Sequence, residues 1–304
     1  MAGNTARPLG QQYRYSLTHL FRNFILAHPL SPSEQLAFTT VRIECESPDG
    51  VSTGTGFYYS FCQEGSTSIP AIVTNKHVVE GATKGRFHIH LSAGKDLPPS
   101  QHVAFDVADF QKHWIPHPDN DVDLCIMPIA PLLVQSEKDG KTLFFIPISK
   151  DLLPDSKCIN DLMAIEEIIM IGYPNGIWDD VNNAPVFRRG ITATHPKTQY
   201  CGRREFMIDA ACFPGSSGSP VLLYNFGNYS DRQGNMIIGT RIKLLGILYA
   251  GPQHTASGEI VIQNIPAKSK PVAISRIPNN LGLVIRAERL IDFEPILLDA
   301  AKRE

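Results

Sequence analysis

The hydrophobic pattern along the chain changes period more than once. Residues 37–46 (AFTTVRIECE) and 85–93 (GRFHIHLSA) alternate apolar and polar positions, the two-residue period of a half-buried strand. Residues 54–61, 69–79 and 122–130 read as further short strands, the one over 69–79 strongly apolar. Between 131 and 160 the pattern loosens around KDGK, which reads as a connection. A second series of short runs then follows at 165–174, 187–194, 205–213, 219–226, 234–239 and 243–251. Short strands separated by frequent turn residues predict an all-β chain of two β units, as sandwich or barrel. Helical spacing occurs only near the ends. Leu17, Leu20, Phe21, Phe24, Ile25 and His28 share one face over 12–28, before Pro29, and a terminal helix starts at about Arg286. The first of these predicts a helix packed on the main body; a membrane anchor is the alternative, against which its thin flanking charge weighs. The resulting division is a helical extension over 1–35, a first β unit over 36–150 and a second over 151–304.

Composition narrows the class. The 304 residues are 43% hydrophobic, enough for a core, and 19% charged, and the formal net charge of −2 argues against binding nucleic acid by bulk charge. The 23 Gly and 23 Pro fit a chain rich in turns. Residues 1–20 hold no apolar leader, and no apolar run approaches the roughly 20 residues that cross a bilayer. The expected setting is therefore cytoplasmic, with no membrane partner. There Cys45, Cys62, Cys125, Cys158, Cys201 and Cys212 would be reduced, although an even count leaves a disulfide framework as the alternative. No CxxC pair suggests a metal, and no cofactor is expected. His88 and His90 share a strand face and could pair on a metal, but no third ligand lies nearby in sequence, so they read as half-solvated strand surface.

Three segments carry candidate chemistry. His77 ends the apolar strand of TNKHVVEGA, Asp123 opens the strand of NDVDLCIMPI, and Ser217 sits in the small-residue loop of DAACFPGSSGSPV. A serine hydroxyl is a weak nucleophile until a base takes its proton. A loop of small residues lets backbone N–H groups converge on a developing oxyanion, here those of Gly215 and Ser217. Each residue has a plainer reading: His77 as a core histidine, Asp123 as a turn residue competing with Asp119 and Asp121, GSSGS as an ordinary loop. Their chain order, His then Asp then Ser with His and Asp in the first β unit, is that of one of the unrelated serine-hydrolase folds. The GxSxG elbow of another fails, since position 219 is Ser.

These segments resemble the trypsin-like peptidase superfamily, in its bacterial branch without disulfides. TNKHVVEGA resembles the TNxHVV segment of the high-temperature-requirement proteases, and VDLCIMPI their Asp-Leu-Ala strand, which selects Asp123. IGYPNG and RRGITA resemble the strands before the nucleophile, PGSSGSPV resembles PGNSGGPL and the GNSGSPV of glutamyl endopeptidases, and GILYAG resembles the strand that pairs with substrate backbone. The resemblance covers roughly residues 36–295. It implies two packed antiparallel six-stranded β-barrels of chymotrypsin type, flanked by the N-terminal helical extension and C-terminal helix. It also implies a serine endopeptidase in which Ser217 is nucleophile, His77 general base and acid, Asp123 its orienting carboxylate, and Gly215 and Ser217 the oxyanion donors.

Two departures stand out: Ser216 replaces the Asp that pairs with a freed N-terminus in activated trypsins, so no such zymogen cleavage is expected, and the chain has no room for a C-terminal peptide-binding module. The pocket would be formed by Ala211, Leu248, Tyr249, Ala250 and Gly251. Ala211 offers no buried carboxylate for Lys or Arg, and Leu248 stands where glutamyl enzymes carry His, so a small or medium apolar residue is expected before the scissile bond. Arg188, Arg189, Arg203 and Arg204 read as surface charge, with cleft lining the alternative. The rival functions are a catalytically silent or partner-activated peptide-binding pseudoprotease and an esterase on the same scaffold. Regulation by residues 1–35, by a bound protein partner, or by the loops at 176–186 and 197–204 is expected.

Overall fold

In a computed structural model of the chain, the described residues are 15–16, 30–65, 67–94, 99, 101–257 and 274–302. The helix expected over 12–28 lies outside them except at Tyr15–Ser16. There the backbone is instead a short strand, β1, which pairs with β4 (Thr67–Thr74) opposite Ser68 and Thr67, so ladder hydrogen bonds replace helical ones at these two positions.

The first β unit is a nine-stranded antiparallel sheet. With β2 (Thr40–Ser47), β3 (Gly50–Glu64), β5 (Lys84–Leu91), β6 (Gln101–Ala108), β7 (Ile115–Pro116) and β8 (Cys125–Pro128), its order is β6-β5-β2-β3-β4-β8-β7, and β9 (Leu143–Phe144) pairs with β5. The unbroken apolar runs of β3 and β4 have a geometric cause. Successive side chains of a strand point to opposite faces. Phe57, Tyr59, Phe61, Ile69, Ala71 and Val73 face a core shared with the second unit, while Tyr58 and Ile72 face the core of the first.

The second unit closes as a six-stranded antiparallel barrel. It contains β10 (Glu167–Gly172), β11 (Val186–Thr192), β12 (Glu205–Asp209) and β13 (Pro220–Asn225). After the hairpin of β14 (Asn228–Ser230) and β15 (Met236–Ile238) come β16 (Arg241–Ala250), the paired β17 (Gln253–Ser257) and β18 (Ile274–Pro278), and β19 (Leu281–Arg286). The barrel order is β10-β11-β12-β19-β16-β13. Its interior holds Ile168, Met170, Phe206, Ile208, Val221, Leu223 and Val284. Leu222, Leu244, Ile247 and Ile285 point outward into the shared core instead, where Leu290, Phe293 and Leu297 of the C-terminal helical segment join them.

Among the described residues five α-helical segments accompany the strands: α1 (Pro32–Ala37), α2 (Lys76–Val79), α3 (Ala130–Lys138), α4 (Ser156–Asp161) and α5 (Glu294–Lys302), the last preceded by a 3₁₀ stretch at Ala287–Phe293. The 131–160 connection thus contains helices that the pattern did not reveal. Helix α3 buries only Ala130, Leu133 and Ser136, too thin an apolar stripe to register. No helix among the described residues is long and apolar enough to cross a membrane.

Candidate active site

Strand pairing brings His77 and Asp123 together. β4 and β8 run side by side with Thr74 opposite Cys125, so residues just past the end of β4 meet those just before β8. Asn75 is extended and caps α2, which carries His77. The His77 backbone N–H donates to Asp123 Oδ1 at 3.2 Å, and Nδ1 lies 2.5 Å from Oδ2. The Asn75 amide donates to the Asp123 carbonyl at 2.7 Å, which fixes the turn that presents the carboxylate. Burial would raise the Asp123 carboxyl, but the hydrogen bonds and charge of His77 hold it below its ordinary range. Of the competing acids, Asp119 is engaged elsewhere: its carboxylate pairs with Arg289 at 2.8 Å and accepts the Asp121 N–H. With Nδ1–H directed at a carboxylate, the imidazole is left with its Nε2 lone pair, the tautomer of a base.

The loop of Ser217 is pinned by Thr55 of β3, a residue that sequence reasoning missed. Thr55 is fully buried; its Oγ1 donates to the Gly215 carbonyl at 2.8 Å and accepts the Tyr173 N–H at 3.0 Å. Its N–H donates to the Ser217 carbonyl at 2.9 Å, and its own carbonyl accepts from Thr74 Oγ1 at 2.7 Å. The only trace of this role is a β-branched hydroxyl residue between Gly54 and Gly56. Within the loop, the N–H groups of Ser216, Gly218 and Ser219 are taken by Phe213, Leu248 and Ser216 carbonyls. Those of Gly215 and Ser217 make no hydrogen bond among the described residues. Two free donors on either side of Ser216 are the arrangement that an oxyanion requires.

Ser217 and His77 line one cavity of about 430 Å³, with no direct hydrogen bond between them. The sequence profile of the trypsin-like peptidase domain matches residues 54–227. The chain belongs to the trypsin-like peptidase family. It is a serine protease, and its substrates are proteins or peptides. Solved structures with similar folds include the serine endoprotease from Yersinia pestis, at 16% identity and a TM-score of 0.46, covering 90% of this chain and 68% of that one. A protease from M. tuberculosis in its active form matches at 14% identity and a TM-score of 0.40, covering 86% and 85%. An HtrA-type protease with a tripeptide matches at 15% identity and 0.44, covering 86% and 61%. No curated protein matches the sequence.

Most of the residues expected around the substrate pocket line this cavity. Gly215, Leu248, Tyr249, Ala250 and Gly251 line the cavity, as do Cys212, Phe213 and Leu281, which the sequence did not single out. Ala211 does not form the wall. The chain leaves β12 at Asp209, and the Ala211 carbonyl turns to accept a hydrogen bond from Arg188, so the next two residues face the cavity. None of the six cysteines forms a disulfide among the described residues. Burial pushes the Cys212 thiol up to about 11, which keeps it protonated and unreactive beside the serine.

Of the two histidines of β5, His90 differs from the half-solvated surface reading. His90 is buried edge-on against Phe38, with ring centroids 4.9 Å apart, because α1 and β9 cover that end of the sheet, and its pKa falls to about 4 through desolvation. His88 meets His102 across the strand pair and lies against Trp178. No group of three His, Cys, Asp or Glu side chains among the described residues could hold a metal ion.

Gly218 gives the sharpest steric test of the loop. Its φ is +87°, and an added Cβ would lie 1.9 Å from the Thr55 carbonyl oxygen. Gly218→Ala is expected to displace the neighbouring Ser217 N–H and lower kcat by about 10²-fold or more, the scale of losing one oxyanion donor. Steady-state kinetics alongside thermal melting would check it; unchanged kcat would show that the loop relaxes freely.

Proposed function

We propose that Ser217, His77 and Asp123 form the catalytic triad of a serine endopeptidase. Ser217 Oγ attacks the scissile carbonyl while His77 Nε2 accepts its proton and then returns it to the departing amine. A water, activated by the same nitrogen, hydrolyses the resulting acyl-enzyme. Asp123 holds the imidazole tautomer and stabilises its cation, and the N–H groups of Gly215 and Ser217 receive the oxyanion. Leu248–Gly251, at the end of β16, supplies the edge along which a peptide backbone would pair. The absence of a His77–Ser217 hydrogen bond fits this reading, since such bonds commonly tighten only around substrate.

The observation that carries the proposal is the pair of unused N–H groups flanking Ser216, in a cavity that also holds a His–Asp pair. Treatment with a fluorophosphonate followed by peptide mass mapping tests it. Modification at Ser217, lost in Ser217→Ala, is the expected result. An unmodified Ser217 in a folded protein would favour a peptide-binding pseudoprotease, and turnover of small esters without peptide cleavage would favour an esterase. A reducing, cytoplasmic setting is proposed for the enzyme, in keeping with a sequence that carries no apolar leader over residues 1–20. The cavity walls suit a small or medium side chain before the scissile bond.

A further inference from the structure

We propose that Arg188 makes the cavity beside Ser217 selective for an acidic side chain, Asp or Glu, in the residue before the scissile bond; this rests on Ser217 being the nucleophile. Along β11, Phe187, Arg189 and Ile191 are exposed, while Thr192 is buried. Arg188 belongs to the inward set. It is half-buried and stands directly opposite Met170, a residue of the barrel interior, and directly opposite residues of paired strands share a face.

A cation turned toward an apolar interior is costly unless a counter-charge meets it. The three other arginines of this region have one: Arg189 with Glu167, Arg203 with Glu205 at 3.1 Å, and Arg204 with Glu288 at 4.0 Å. Arg188 pairs with no carboxylate among the described residues. Asp209, close enough to act on the Cys212 thiol, is exposed and makes no ion pair with it.

What Arg188 touches is the back of the cavity wall. Its Nη1 donates to the Ala211 carbonyl, its guanidinium carbon sits 4.8 Å from the centre of the Phe213 ring, and its Nε is buried with no acceptor. Phe213 and the adjoining Cys212 line the cavity, and the charge of Arg188 opposes the burial-driven rise of the Cys212 thiol, so its field reaches the lining. The structure thus sets an unneutralised cation behind otherwise apolar walls of Cys212, Leu248 and Leu281. A short acidic side chain can lay its methylenes on those walls and bring the missing charge. A Lys or Arg side chain would be repelled, and an apolar one would leave the guanidinium unmatched. The expectation of an apolar residue rested on Ala211 and Leu248, which carry no polar head. It did not weigh a cation reaching the same place from a neighbouring strand.

The test uses peptides that differ only in Glu versus Gln, Asp versus Asn, Val or Lys before the scissile bond. Two readouts are taken at low salt: kcat/KM with the wild-type full chain, and binding of the uncleaved peptides to Ser217→Ala by fluorescence anisotropy. Glu is expected to exceed Gln by about tenfold or more in both, the scale of one charge-assisted contact. Arg188→Ala should bring that ratio near one, and Arg188→Lys should leave it intermediate. Should Arg188→Ala fail to fold, the wild-type ratios decide. Val cleaved at least as well as Glu, or equal binding of Glu and Gln peptides (none included), overturns the inference. If Ser217 proves inert, the catalytic reading fails while the binding ratio on Ser217→Ala still decides the role of Arg188.

Discussion

Ser217→Ala is expected to lower kcat by about 10⁶-fold, and His77→Ala by nearly as much, because neither group acts without the other. The hydroxyl is the atom that becomes acylated, and at neutral pH it attacks only as its proton leaves for an imidazole. The double variant should therefore be no slower than either single one. Side-chain exposure at His77 is 45%, and Ser217 is half-buried on the cavity wall, so neither substitution empties a core, although His77→Ala leaves the Asp123 carboxylate without its imidazole partner. A thermal melt close to wild type is expected for Ser217→Ala, which separates loss of chemistry from loss of fold. Single-turnover cleavage of a peptide would measure the effect. Losses that multiply in the double variant would show that the two residues act independently, and would contradict a nucleophile–base pair.

Asp123→Asn is the second large effect, expected at about 10⁴-fold in kcat, the magnitude known for the corresponding change in another trypsin-like enzyme. The amide is nearly isosteric, but its NH₂ group would favour the imidazole tautomer that presents a protonated Nε2 to the serine. The same substitution has a pH signature. Burial pushes the Asp123 carboxyl up, but the hydrogen bonds and charge of His77 outweigh it and hold the folded-state value below the ordinary one. A carboxyl depressed on folding adds stability above its unfolded pKa, and that stability is lost as pH falls through the folded one. The stability gap between wild type and Asp123→Asn should therefore be widest near neutrality and narrow in acid, as read from urea midpoints. A gap that widens in acid would contradict the assignment.

Much of this site was legible before any coordinates. His77, Asp123 and Ser217 lie in short segments whose residue types and order already restrict the chemistry, and the small residues around Ser217 announce a loop built for close approach. The alternating and unbroken apolar runs located both β units. Three features were not legible, for different reasons. Thr55 acts through hydrogen bonds to residues about 120 to 160 positions away, and nothing local marks it. Cys212 and Phe213 line the cavity where Ala211 does not, because the turn after β12 directs the Ala211 carbonyl toward Arg188, and Leu281 reaches the cavity from the distant start of β19. Arg188 and Arg189 are adjacent and identical in sequence terms, yet one is exposed beside Glu167 and the other faces the barrel, a distinction set only by the phase of β11 within the barrel.

The sequence by itself therefore determined the class of structure, the presence of two β units and which residues are the candidates for the reacting groups. These depend on local periodicity and on the chemistry of individual side chains. The tertiary structure decided which donors remain free, which residue holds the serine loop and which of four arginines packs behind the cavity wall. Those properties depend on strand register and on hydrogen bonds between distant segments, and a one-residue change of register would reverse the face of every side chain on the strand.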